Sequence, residues 1–99
     1  MQLLIYYNKK QKTDAELAKN LLPKIRAFLE TVDDFSSDNL FNVLSSFAES
    51  LEVKARQLFY VLRIAVTGLE VTPGGATEIL EIIKKEETLS RLDFAISLL

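Results

Sequence analysis

The sequence predicts an all-α fold, a compact bundle of five or six helices joined by short connections. Apolar residues recur at intervals of three and four along most of the chain, which is the spacing of one helix face. Strand-like alternation does not persist beyond a few residues. The 99 residues are 48% hydrophobic, enough for a real core, so we expect a single helical domain spanning residues 1–99.

The first helix is predicted from a capping box, with Thr13 at the cap and Glu16 three residues later. Apolar residues then follow at steps of four to about Glu30, and Pro23 is expected to bend or break the helix. Before it, residues 3–7 are apolar and aromatic without a helical period, so we expect an extended arm packed on the bundle. A short lysine-rich stretch lies between the two, and we expect it to be a solvated loop, with contact to a polyanion as the alternative: Lys9, Lys10 and Lys12.

The second and third helices are predicted to form a tight corner. Ser36 or Ser37 caps the second helix, whose buried face runs through residues 40–51. Only residues 52–53 then separate it from the third helix. After a glycine-rich loop, one short helix is predicted over residues 78–85, and Thr88 is expected to cap a last one.

The third helix carries the prediction of function. Apolar side chains occupy most of its circumference, so we expect it near the centre of the bundle. A narrow polar stripe remains, formed by Arg56, Tyr60 and Arg63. Two guanidinium groups with a tyrosine between them suit phosphate pairing and stacking on a base. The alternative is that both arginines pair with carboxylates elsewhere and that Tyr60 is partly buried.

The loop after the third helix is the second candidate feature. Gly68 is expected to end the helix in a left-handed conformation. Pro73 then restricts Thr72 to an extended conformation, and Gly74 and Gly75 remove side chains ahead of the next helix. Backbone N–H groups at such a helix start can bind an anion or a base edge. An ordinary helix connector is the alternative.

Composition excludes several classes of site. The chain has no cysteine and no histidine, which removes disulfides, thiolate catalysis, the usual neutral-pH acid/base and the commonest metal ligand. We therefore expect neither a catalytic centre nor a metal site. The apolar stretch at the N-terminus is too short for a secretory signal or a membrane helix, so a cytoplasmic protein is expected. The net charge of −2 requires any polyanion site to be local, and residues 54–69 contain no acidic residue.

Four short elements follow one another in the second half of the chain. They are Leu62-Arg63 before Ala65-Val66-Thr67-Gly68, then Thr72-Pro73, then Glu78-Ile79-Leu80-Glu81, and finally Lys85-Glu86 with Thr88-Leu89 and Arg91-Leu92. In this order they resemble the C-terminal end of bacterial-type glutamyl-tRNA synthetases, which are class I aminoacyl-tRNA synthetases. The aromatic start and the leucine-rich first helix are compatible with the same family.

The resemblance implies a distal, all-helical anticodon-binding domain without a catalytic site. The family's catalytic signatures are absent from this sequence, so ATP, glutamate and magnesium are implied only for the larger ligase, and no cofactor is expected here. Four residues are carried over by position as those that approach anticodon bases: Arg63, Thr72, Pro73 and Gly74. Lys54 and Arg56 are expected to contact phosphates, and Tyr60 to stack on a base. The implied partners are the anticodon loop of a glutamate-accepting tRNA and the upstream catalytic and helical domains, in a monomer.

The sequence departs from the family pattern in two places. Gly75-Ala76-Thr77 stands where many members have a large apolar residue and a phenylalanine, and Ile83-Lys84 replaces the usual leucine-glycine. The competing function is a helical protein–protein interaction module. Its docking surface would consist of exposed apolar and aromatic side chains: Phe41, Tyr60, Ile96, Leu98 and Leu99.

Overall fold

The computed structural model describes residues 6–69, 72 and 74–99, and these residues form four α-helices. Their bounds are Ala15–Glu30 for α1, Ser37–Ser50 for α2, Ala55–Thr67 for α3 and Ala76–Ser97 for α4. The described residues contain no β-strand beyond an isolated bridge between Asn8 and Thr13. The predicted all-α class is therefore confirmed. Among the same residues, no helix combines the length and the apolarity that a membrane crossing requires.

Asp14, and not the predicted Thr13, caps α1. The Asp14 Oδ1 atom accepts a hydrogen bond from the backbone N–H of Leu17 at 2.8 Å. Thr13 is buried, and its hydroxyl donates to the carbonyl oxygen of Tyr6 at 2.7 Å. Burial raises the pKa of Tyr6 to about 12. Pro23 lies inside α1 without ending it.

The predicted count of five or six helices is wrong because α4 contains both of the last two predicted segments. They meet at Lys84, whose backbone is not helical, with φ 70° and ψ 172°. Thr88, predicted to cap a separate helix, is instead buried within α4. Its hydroxyl donates to the carbonyl oxygen of Lys84 at 2.8 Å, which ties the second part of α4 to the kink.

Replacing Lys84 with glycine should stabilise the protein. A positive φ combined with an extended ψ is a region that essentially only glycine occupies without strain. Removing this backbone strain should contribute roughly 1–2 kcal/mol to stability. The gain is partly offset because glycine has greater conformational entropy in the unfolded chain. We expect Lys84→Gly to raise the free energy of unfolding, measured in urea, by about 1 kcal/mol. Lys84→Ala keeps the Cβ atom and is the control. Equal stability of the two variants would show that Lys84 carries no backbone strain.

Side chains from all four helices share one core. Seven of the 13 residues of α3 are buried, which confirms that this helix lies near the centre of the bundle. Fully buried aliphatic side chains from each of the other helices belong to the same core: Leu22, Ile25, Leu44, Leu80 and Leu92. Because the core occupies most of the circumference of α3, only a narrow part of that helix is left for a partner.

Two basic residues of α4 hold the ends of other helices. The Lys85 ammonium donates to the carbonyl oxygens of Glu30 and Val32, at 2.7 and 2.8 Å, where α1 ends. The Arg91 guanidinium donates to the carbonyl oxygen of Val66 at 2.9 Å, in the last turn of α3. Carbonyls at helix C-termini lack partners within the helix, so these cations satisfy them. Both side chains therefore contribute to folding.

Candidate nucleic-acid interface

The exposed side of α3 is a narrow strip that carries Arg56 and Arg63, called here the α3 strip. Residues seven positions apart lie on the same side of an α-helix, about 10 Å from each other along its axis. Arg56 is exposed and Arg63 is partly exposed, whereas the opposite side of the helix is buried. Lys54, which directly precedes α3, is also exposed. Lys54 and Arg56 thus stand on the surface, whereas Arg63 is only partly exposed and its Nε atom is buried.

Tyr60 does not belong to the exposed strip, because the segment before α1 covers it. Its side chain is only 7% exposed, and its phenol oxygen accepts a hydrogen bond from Nδ2 of Asn8 at 3.1 Å. A ring buried to this extent presents no face to a base. The prediction that Tyr60 stacks on an anticodon base is therefore wrong, and so is its assignment to an exposed docking surface.

The segment that covers Tyr60 is a small closed loop, residues 8–13, called here the lysine loop. Its first and last residues exchange two backbone hydrogen bonds, of 3.0 and 3.1 Å. Gln57 joins this loop to the start of α3. Its side-chain oxygen accepts from the N–H of Lys54, and its amide nitrogen donates to the carbonyl of Lys12, both at 3.0 Å. The lysine loop thus forms one wall of the α3 strip.

Two stacked phenylalanine rings form the opposite wall. Successive residues turn by about 100° around a helix, so Phe59 and Tyr60 fall on opposite sides of the line through Arg56 and Arg63. The ring of Phe59 packs against that of Phe41 on α2, with centroids 5.5 Å apart and an interplanar angle of 3°. Phe41 is 55% exposed. Sequence reasoning missed this pair, because nothing local indicates which residue of α2 faces Phe59.

An open cleft of about 260 Å³ connects the stacked rings to α4. It is lined by Phe41, Phe59 and Arg63 on one side and by residues 75–78 on the other. A neighbouring cleft of about 450 Å³ also borders Phe41 and adds the carboxylate of Asp38. Phe41 is therefore an exposed aromatic ring shared by two adjoining clefts.

The predicted loop residues lie between α3 and α4, and of these Gly75 lines the cleft beside Arg63. Gly68 ends α3 with φ 75°, and its N–H donates to the carbonyl of Ile64 at 2.7 Å, which confirms the left-handed cap. The hydroxyl of Thr72 donates to the carbonyl oxygen of Gly74, so its proton is used inside the loop while its oxygen can still accept. Pro73 lies outside the described residues.

A carboxylate already lies at the N-terminus of α4. Oε1 of Glu78 accepts from the N–H of Gly75 at 3.3 Å. A phosphate at this start of a helix would meet a like charge, so of the two predicted ligands, an anion and a base edge, the carboxylate favours the base edge. With Arg63 on one side and Glu78 on the other, the cleft suits a neutral group that has both hydrogen-bond donors and acceptors. A nucleobase edge has this character. No cluster of three or more metal-binding side chains occurs among the described residues.

Comparison with known proteins gives a consistent set of relatives. The family model described as an anticodon binding domain matches residues 3–96. A glutamate–tRNA ligase of Clostridium tetani is 38% identical over 93% of this chain and 19% of its own length. The corresponding ligase of Clostridium acetobutylicum is 35% identical over the same shares, and that of Clostridium novyi is 40% identical over 89% of this chain and 18% of its own length. The chain thus spans less than a fifth of these relatives. No solved structure matches it.

Proposed function

This chain belongs to the anticodon-binding domain family, and from that premise we propose that it binds the anticodon loop of a glutamate-accepting tRNA. Its relatives are named glutamate–tRNA ligases, and they are several times longer than this chain. We propose that it is a single, distal and non-catalytic domain of such an enzyme, cytoplasmic and monomeric. ATP, glutamate and magnesium would then act on the rest of the enzyme, alongside upstream catalytic and helical domains.

The observation that carries this proposal is the combination of cations and an exposed aromatic ring on one face. Unpaired anticodon bases can be splayed out, stacked on aromatic side chains and read along their edges. Phe41, already stacked on Phe59, offers such a ring beside the open cleft. The guanidinium of Arg63 lines the same cleft and can donate in a fork to a base carbonyl. Stacking is thus assigned to Phe41 in place of Tyr60.

The remaining predicted residues are assigned either to the bases or to the sugar-phosphate backbone of the RNA. Thr72, Gly74 and the neighbouring Pro73 would approach the bases from the loop before α4. Lys54 and Arg56 would contact phosphates, because both are exposed cations at the open end of the α3 strip. Contacts to phosphate position the RNA without reading its sequence. One part of this face would therefore read bases, and another part would hold the RNA backbone.

Binding of a labelled anticodon stem-loop of a glutamate tRNA tests the proposal, with a scrambled-loop RNA as the control. We expect the protein to prefer the cognate loop. Its affinity should fall steeply between about 50 and 200 mM salt, because each neutralised phosphate releases counterions. A protein–protein docking module would bind neither RNA selectively. Equal affinity for both loops, or binding that salt does not change, would contradict anticodon recognition.

A further inference from the structure

Five exposed cations gather at one end of α3. Lys9, Lys10 and Lys12 are exposed on the lysine loop, which Gln57 bonds to the start of α3, where Lys54 and Arg56 are exposed. None of the five pairs with a carboxylate anywhere in residues 6–69, 72 and 74–99. From the sequence, the three lysines are expected in a solvated loop, with contact to a polyanion as the alternative. In the structure, the loop that carries them is bonded to residues of α3, through Asn8 to Tyr60 and through Lys12 to Gln57.

The lysine loop has a fixed shape and a fixed position. Besides the paired backbone bonds between its ends, the N–H of Gln11 donates to the side-chain oxygen of Asn8 at 3.0 Å. Asn8 is bonded to buried Tyr60, and the carbonyl of Lys12 is bonded to Gln57. A loop that serves only as a solvated connector has no need of these long-range contacts. They hold the backbone of the loop against α3.

The carboxylates that lie closest in sequence are too few to neutralise this cluster. Asp14 follows the loop, but its side chain accepts the N–H of Leu17 as the cap of α1. Glu16 and Glu52 are exposed and are engaged in no ion pair among the described residues. Even with these three carboxylates counted at full charge, the five cations leave a local net charge of +2 in a protein whose overall charge is −2. A local field of this kind attracts a polyanion.

We propose that the lysine loop is a second phosphate-binding element of the same RNA interface. This inference rests on the proposed function. Arg63 lies nine residues beyond Lys54, or about 13 Å along the axis of α3. RNA bases seated beside Arg63 and Phe41 would leave the neighbouring sugar-phosphate backbone over the start of the helix. There Lys9 and Lys10 meet it together with Lys54 and Arg56, and the loop acts as a wall that sets the position of the RNA.

A pair of charge-matched variants tests this inference. Lys9→Gln/Lys10→Gln removes two charges from the loop, and Lys19→Gln/Lys24→Gln removes two from exposed positions of α1. Lys12 is left in place because its φ of 59° makes it part of the fold of the loop. The affinity of each variant for the cognate and scrambled stem-loops is measured across a salt series, with the thermal unfolding of each variant as a check of folding.

We expect the loop variant to reduce the slope of log affinity against log salt by about 1.4–1.8, since each phosphate contact contributes about 0.7–0.9. Its preference for the cognate loop should not change, because phosphates carry no sequence information. The α1 variant should keep the wild-type slope. If both variants changed the slope equally, the loop would act only through the overall charge of the protein. If the loop variant lost the preference for the cognate loop, the lysine loop would contact bases. Either result overturns the inference and leaves the proposed function standing. Failure of the wild type to bind at low salt overturns both.

Discussion

Arg63→Ala is expected to lower the affinity for the cognate anticodon stem-loop by about 1–3 kcal/mol, the size of one good bidentate base contact. Arg63 lines the cleft beside the stacked rings and the start of α4. Its guanidinium would face a base edge there, and the alanine substitution removes this planar fork of donors. The measurement is a titration of labelled stem-loop at fixed salt, with the scrambled loop alongside. The preference for the cognate loop should shrink together with the affinity.

Arg56→Ala is the matched control for this substitution. It removes the same group from the same strip, but from the exposed end, away from the cleft. We expect it to weaken binding to both RNAs equally and to reduce the salt slope by about 1. If Arg63→Ala behaved in the same way, with the preference for the cognate loop intact, Arg63 would be a backbone contact and not a base reader.

Phe41→Ala is expected to weaken binding by about 1–3 kcal/mol, which is the usual contribution of one base stacked on an aromatic side chain. The ring of Phe41 is 55% exposed and is held parallel to that of Phe59. Loss of the ring removes the stacking surface but leaves the core intact, so thermal unfolding should change little. Phe41→Trp should bind as well as the wild type, since an indole also presents a flat aromatic face.

The tryptophan variant also reports directly on the contact between residue 41 and a base. The chain contains no tryptophan, so the new indole can be excited selectively. We expect its fluorescence to be quenched when the cognate stem-loop binds. Phe94→Ala is the control for the affinity of Phe41→Ala. Phe94 is also an exposed ring, 63% accessible on α4, but it lines neither of the two clefts at Phe41. Unchanged affinity of Phe41→Ala, together with unquenched fluorescence of Phe41→Trp, would exclude Phe41 from the interface.

The fold class could be predicted from the sequence because helical spacing and caps are local signals. The third helix and its glycine cap, Gly68, were predicted correctly for this reason. The number of helices was not, because the last two predicted segments continue through a kink at Lys84 as one helix, and no local signal distinguishes such a kink from a break. The cap of α1 was misplaced by one residue, since Thr13 and Asp14 are both good capping residues.

The candidate site was predictable only where it depends on one helix. The surface position of Lys54, Arg56 and Arg63 follows from the period of α3. The burial of Tyr60 does not, because a loop 52 residues away in sequence covers it. The stacking of Phe41 on Phe59 likewise depends on how α2 packs against α3. Contacts of this kind have no local signature in the chain.

A titration of the protein with the cognate stem-loop, followed by backbone amide NMR shifts, tests the central claim most directly. If α3 and its two walls bind the anticodon loop, the largest shifts will fall on residues 8–13, on Phe41, on residues 54–68 and on residues 74–78. The outer face of α1, with Lys19 and Lys24, should be unaffected. Shifts centred on that face, or around Phe94 on α4, would place the RNA elsewhere and contradict the account.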